Sequence, residues 1–214
     1  DFTGLSFLTE IRNGHTEIRE NHSLITVNLD SLMVINSYLS ISGNNNLLTI
    51  SGFENLTEMQ SIEISNNYNV TSIPLFNNLN KIETLSITEN ESLVNFDGFD
   101  NLRCVGYFII HGNDILEMIP KFNNLKRVSG FSFRISFNPY LKSVEGFQSL
   151  EFVNNLLIIE SNGWRNDSMP ISNFPELKEI TGHLMLVTGI SKINGFNKLV
   201  KVGNIKIDGT KATE

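Results

Sequence analysis

The residues that could do acid–base or metal chemistry in this chain are few and scattered. The histidines are His15, His22, His111 and His183, and the one cysteine is Cys104. No spacing among them suggests a shared metal ion, and a cysteine-based zinc site or an internal disulfide needs more than one thiol. Cys104 lies between Arg103 and Val105 and reads as part of a bend, not as an activated nucleophile. There is no GxSxG, no HExxH, no glycine-rich phosphate loop and no calcium-binding repeat. The expectation is a protein with no catalytic residue, no metal and no cofactor, which is not an enzyme. A carbohydrate-active solenoid enzyme, a lyase or hydrolase, is a third reading after recognition and spacer, and it would need carboxylates paired on one face. What remains is contact chemistry, which depends on the side chains that share a face.

The elements that would position such a face repeat. A leucine recurs at Leu8, Leu32, Leu56, Leu79, Leu102, Leu125, Leu150, Leu177 and Leu199, in steps of 22 to 27 residues. About nine turns therefore cover residues 1–214 as a single domain. Three residues after each leucine stands an aliphatic or methionine side chain. An alternating apolar pair follows, such as Leu39 and Ile41, Ile62 and Ile64, or Leu85 and Ile87. Period two predicts a strand. Three residues past the pair comes asparagine, at Asn21, Asn44, Asn67, Asn90, Asn113, Asn138 and Asn162. After it the apolar residues step by three, too regular a spacing for a helix. One position of that stretch is phenylalanine in seven turns: Phe53, Phe76, Phe99, Phe122, Phe147, Phe174 and Phe196.

Stacked turns give both columns a physical meaning. Equivalent residues of neighbouring turns lie about 4.8 Å apart. Stacked asparagine amides then form a ladder that satisfies bend amides otherwise buried without partners, at about 1–3 kcal/mol each. Stacked phenylalanines fill the core. Asn21 and Asn90 also begin the sequons Asn21-His22-Ser23 and Asn90-Glu91-Ser92. As ladder members both are expected to be buried and free of glycan. The other sequons begin at Asn55, Asn69 and Asn166. With 29 asparagines in 214 residues, about five sequons arise by chance, so they do not argue for glycosylation.

The repeat also yields two outward columns on the predicted strands. One runs Glu17, Ser40, Glu63, Ser86, Ile109, Arg134, Ile158, Met185, Lys206. The other runs Arg19, Ser42, Ser65, Thr88, His111, Ser136, Glu160, Val187, Asp208. The first half is small and polar. In turns five to eight, Ile109, Ile158, Met185 and Val187 form an exposed apolar strip with His111 and Arg134 among them. An insertion at 161–173, "SNGWRNDSMPISN", leaves the solenoid there and carries Trp164. Exposed apolar strips and inserted loops serve binding, and Trp and Arg are favoured interface anchors. The candidate contact residues are thus Ile109, His111, Arg134, Ile158, Trp164, Met185 and Val187. The loop either joins this surface or folds over the strip and shields it.

"IETLSITEN" (82–90) satisfies the leucine-rich-repeat pattern LxxLxLxxN, but the next apolar residue, Leu93, falls three positions after the asparagine. The longer unit LxxIxGFxNLxxIxxLxIxxN, as in "LLTISGFENLTEMQSIEISNN" (47–67) and "LKSVEGFQSLEFVNNLLIIESN" (141–162), resembles the receptor L domain. That resemblance implies a mainly β fold, a right-handed parallel β-solenoid with a flat sheet. It also implies ligand binding or a structural role at the cell surface, not catalysis. A single cysteine cannot form the end disulfides of the hormone-receptor version, which favours the microbial surface type.

Composition narrows the partners. A net charge of −7 disfavours phosphate-backbone binding, so no nucleic acid is expected. No apolar run is long enough to insert in a membrane. The expected partner is a protein or glycan at the cell surface. The alternative is a structural spacer about 43 Å long, from nine turns at about 4.8 Å.

Overall fold

The computed structural model describes residues 2–163, 169–187 and 190–209. Apart from a 3-10 turn at Thr3–Leu5, the regular elements among them are all strands. The central strands are Thr16–Arg19, Val34–Ser42, Glu58–Ser65, Lys81–Thr88, Cys104–His111, Ser132–Ser136, Leu156–Glu160, Glu179–Val187 and Lys201–Asp208. They are numbered here as layers one to nine. Each pairs in parallel with the next, forming one continuous sheet. Nine stacked strands enclose about eight full turns of a β-solenoid, one fewer than the leucines suggest. Each leucine marks a layer, whereas a turn is the interval between two layers.

The strands form because their alternation divides apolar from polar side chains. Leu39 pairs with Ile62, Ile62 with Leu85, and Leu85 with Phe108. The column continues through Phe133, Leu157 and Leu184 to Ile205. All of these except Ile205, in the last layer, are buried. The three-spaced residues close the other wall, where Phe53, Phe76, Phe99, Phe122, Phe147, Phe174 and Phe196 stack face to face. Their centroid separations are 5.9, 5.4, 5.6, 5.5, 5.3 and 5.2 Å in turn. The chain reaches this column through a sharp approach of successive layers. At Gly98, with φ 99°, a Cβ would lie 2.4 Å from the Leu75 Cα. No other residue type fits there without moving backbone.

The asparagines form a continuous hydrogen-bonded ladder. Each main-chain N–H donates to the Oδ1 of the next asparagine, from Asn21 to Asn44 at 3.0 Å through Asn138 to Asn162 at 3.1 Å. Each Nδ2 turns back as well. That of Asn90 donates to the Ile64 carbonyl at 2.9 Å and to the Thr88 carbonyl at 3.1 Å. Asn44 through Asn162 are buried, but Asn21 is exposed. Burial of Asn21, expected from its ladder position, is therefore corrected. A ladder rung is covered by the layers on both sides, and the first rung has a neighbour on one side only.

The residue before each ladder asparagine makes the corner. Glu20, Gly43, Asn66, Glu89, Gly112, Phe137 and Ser161 all take positive φ, between 51° and 67°. A left-handed residue here reverses the chain so that the asparagine points inward. The expected insertion 161–173 is also revised at its flanks. Asn162 is a ladder rung, and Met169–Ile171 pairs in parallel with Ile190–Ile193. Residues 164–168, Trp164 among them, lie outside the described residues.

Candidate functional site

The outward columns fall in register on the sheet. Ile109 pairs with Arg134, Arg134 with Ile158, and Ile158 with Met185. His111, Ser136, Glu160 and Val187 form the neighbouring column. Five of the candidate residues, Ile109, Arg134, Ile158, Met185 and Val187, thus occupy one patch with His111 at its edge. The apolar strip is not openly exposed, however. Ile109, Met185 and Val187 are half-buried, and Ile158 is only 7% exposed. Side chains on layers about 4.8 Å apart cover one another's flanks. In addition, Arg134 forms an ion pair with Glu160, one layer on and one column across. Its stem therefore runs past Ile158 on the way.

Polar contacts organise the end of this patch. The His111 Nδ1 lies 2.8 Å from the Ser136 Oγ, and its Nε2 lies 3.2 Å from the Glu89 Oε1. Glu, His and Ser are thus linked across three successive layers. The order resembles a hydrolytic relay, but Ser136 is 0% exposed. Its hydroxyl lies below the sheet surface, where a substrate carbonyl cannot reach it, so the chain of contacts orients the imidazole and does not activate a nucleophile.

Beside it stands a residue that the repeat pattern does not single out. Phe137 is 49% exposed, packs edge-on to His111 with ring centroids 5.3 Å apart, and holds φ at 55°. A bulky side chain in the left-handed region is strained. Glu89, His111, Gly112, Asp114, Phe137 and Pro139 line an open hollow of about 370 Å³ around it. The signal was present in the sequence, since Phe137 is an aromatic directly before a ladder asparagine, where glycine or a polar residue otherwise stands. Without the corner's φ, its exposure could not be read.

The other candidates for chemistry are isolated. Cys104 opens a strand instead of sitting in a bend, and its Sγ lies 3.6 Å from the Ser129 Oγ. His15 stacks on Tyr38 at the opposite end of the solenoid, with centroids 4.0 Å apart. Among the described residues no group of three or more His, Cys, Asp or Glu is placed to hold a metal ion. No helix among them is long and apolar enough to cross a membrane. Compared with family models, curated proteins and solved structures, the chain matches none.

Proposed function

We propose that this chain is a non-catalytic recognition module of a cell-surface or extracellular protein, as its resemblance to receptor L domains implies. Its contact surface is the outer sheet face of layers five to eight, extended at the corner by Phe137. The observation that carries the reading is Phe137 itself. A ring left half exposed, in a backbone conformation that costs energy, returns little to folding beyond its edge contact with His111. Exposed aromatics ringed by polar groups are the usual anchors of protein interfaces. Arg134 and His111 lie within the same patch, and Glu89 and Asp114 line the hollow. The partner that fits is a protein segment presenting an apolar side chain next to Lys or Arg.

A second reading has its own support. The sheet runs unbroken through all nine layers and the ladder through the first seven, so the chain also suits a rigid spacer that needs no site. A photoreactive phenylalanine analogue separates the two. It is placed at position 137 and, as a control on the polar half of the sheet, at position 63, and each variant is irradiated with surface membranes of the source cells. The recognition reading expects one defined adduct from position 137, diminished by Arg134→Gln and absent from position 63. Equal labelling from both positions, or none from either, leaves the spacer.

A further inference from the structure

A second surface, at the other end of the same strands, carries charge of the opposite kind. The Arg103 main-chain N–H donates to the Asn80 carbonyl at 2.8 Å, and the Lys126 N–H donates to the Arg103 carbonyl at 2.9 Å. In the adjoining column Lys81 pairs with Cys104 and Cys104 with Arg127. Lys81, Arg103, Lys126 and Arg127 are therefore neighbours on layers four to six, and all four are exposed. The span is two layer steps, roughly 10 Å.

These cations lack the partners that others of the chain have. Lys142 holds Glu117, Lys178 holds Glu151, Lys198 holds Glu176 and Lys201 holds Glu179, each at 2.6 to 2.8 Å. No carboxylate among the described residues lies within 4.0 Å of Lys81, Arg103, Lys126 or Arg127, and Arg127 instead covers the Phe152 ring at 4.3 Å. In a chain of net charge −7, four neighbouring cations with no carboxylate at ion-pair distance, the adjacent Glu151 being held by Lys178, concentrate positive potential at one place.

Two shallow grooves of about 580 Å³ each adjoin this ridge. Gln60, Lys81, Glu83, Gly106, Tyr107 and Ser129 contribute to the first, and Asn78, Asn80, Lys81, Asn101 and Arg103 to the second. Lys81 belongs to both. The side chains of Gln60 and Asn80 are exposed and make no hydrogen bond among the described residues, and Tyr107 offers an exposed ring. Amides and a hydroxyl suit sugar hydroxyls, and an aromatic ring suits the apolar face of a sugar. An extended peptide is served poorly here. The Arg103 and Lys126 amides already hold main-chain carbonyls, so no strand edge is open for a β-partner.

We propose that the Lys81–Arg103–Lys126–Arg127 ridge and its two grooves bind an acidic polysaccharide, whose sulfates or carboxylates meet the cations while its rings lie in the grooves. This site goes beyond the recognition surface at Phe137 and stands independently of it, at the opposite end of the strands.

The test uses the full chain with dextran sulfate as probe and fluorescence anisotropy as readout, from low to physiological salt. Neutral dextran and poly-glutamate serve as comparisons. The expected result is binding of dextran sulfate that weakens steeply with salt, no binding of neutral dextran, and weaker binding of poly-glutamate. The variant K81E/R103E/K126E should lose at least about tenfold in affinity and flatten the salt dependence. The variant K142E/K192E/K198E, with the same change in net charge elsewhere, should keep affinity within about twofold if binding is local. All these positions are exposed, and circular dichroism verifies the fold of each variant. Equal losses in the two variants would show general electrostatics and overturn the site. Tighter binding of poly-glutamate than of dextran sulfate would assign the ridge to acidic peptides and overturn the glycan.

Discussion

The Asn67 main-chain N–H donates to the Oδ1 of Asn90 at 3.2 Å, while the Asn90 Nδ2 reaches back past Asn67 to the Ile64 carbonyl at 2.9 Å. The Asn90 Nδ2 also donates to the Thr88 carbonyl at 3.1 Å and to the Asn113 Oδ1 at 3.4 Å, so one side chain joins three strand-to-corner segments. It explains why asparagine recurs at this place. Aspartate has no N–H donor, and glutamine is longer by a methylene that the stacked corner cannot take up. From layer two to layer seven the fold is held by a buried polar column as well as by an apolar core.

Position along the ladder should set the cost of removing a rung. Asn90→Ala takes the acceptor from the buried Asn67 N–H and a donor from the Ile64 carbonyl, while the Thr88 carbonyl keeps the Asn66 N–H at 3.1 Å. At about 1–3 kcal/mol per orphaned group, with partial relaxation, a loss of about 2–4 kcal/mol is expected. Asn21→Ala, at the exposed first rung, should cost less than about 1 kcal/mol because water replaces the lost partners. Urea unfolding of the two variants measures the difference. Equal losses would mean that the ladder does not depend on burial.

The phenylalanine stack should show a similar gradient. Phe99 is fully buried, with ring neighbours Phe76 at 5.4 Å and Phe122 at 5.6 Å. Phe99→Ala should cost about 3–5 kcal/mol, from lost burial and the cavity that remains. Phe196 is half-buried and, among the described residues, stacks on Phe174 alone, at 5.2 Å. Its truncation to alanine should cost roughly half as much, in proportion to the area lost. Thermal denaturation checks the order, and a larger loss at Phe196 than at Phe99 would contradict it.

Phe137 offers a test in which stability and binding move in opposite directions. Phe137→Gly releases a left-handed strain of about 1–2 kcal/mol, partly offset by the freedom that glycine adds to the unfolded chain. The folded state should gain up to about 1 kcal/mol, while capture of the partner at this corner should fall. If the variant is instead destabilised by more than 1 kcal/mol, the ring is a structural element and the contact surface loses its anchor.

How far the sequence shows these features depends on whether they repeat. The strands, the asparagine ladder and the phenylalanine stack are each one residue type at one phase of the repeat, so periodicity alone exposes them. Corners are harder to read, because the ladder asparagine fixes their position but a φ near 55–64° is met by Glu89, Gly112 or Phe137 alike. Ile158 is flanked by Arg134 and Met185, and Arg134 reaches diagonally to Glu160, a contact invisible in either column taken singly. A second set of amides also keeps one phase of the repeat, the asparagine of FxNL, but its role does not show in the sequence. Asn55, Asn78, Asn101 and Asn124 each precede a core leucine and donate Nδ2 to a main-chain carbonyl of the preceding layer at 2.7–2.8 Å. These asparagines lie on the surface, where the residue type usually signals only a loop.

The field of the basic ridge can be measured without any ligand, at Glu151. Its carboxylate accepts a hydrogen bond from the Lys178 Nζ at 2.8 Å. That bond, then the Lys178 charge, and then the charges of Lys126 and Arg127 hold its pKa below the ordinary carboxylate value, and Glu151 in turn raises that of Lys178. Because the folded pKa of Glu151 is depressed, the pair's contribution to stability is present above the unfolded carboxylate pKa. It is lost as pH falls through the folded value. Because the folded pKa of Lys178 is raised, the contribution is present below the unfolded lysine pKa and is lost as pH rises through the folded one. The contribution therefore spans the pH range between the carboxylate and lysine titrations. Carbon-detected NMR titration of Glu151 should show a depressed midpoint. Lys178→Met should raise it most, since both the hydrogen bond and the nearest charge go. Lys126→Met should raise it less, through charge alone. A midpoint that stays put in Lys126→Met would show that the ridge's potential is screened before it reaches the next layer. An anion lying along that ridge would then be held by one cation at a time, with a correspondingly shallow salt dependence.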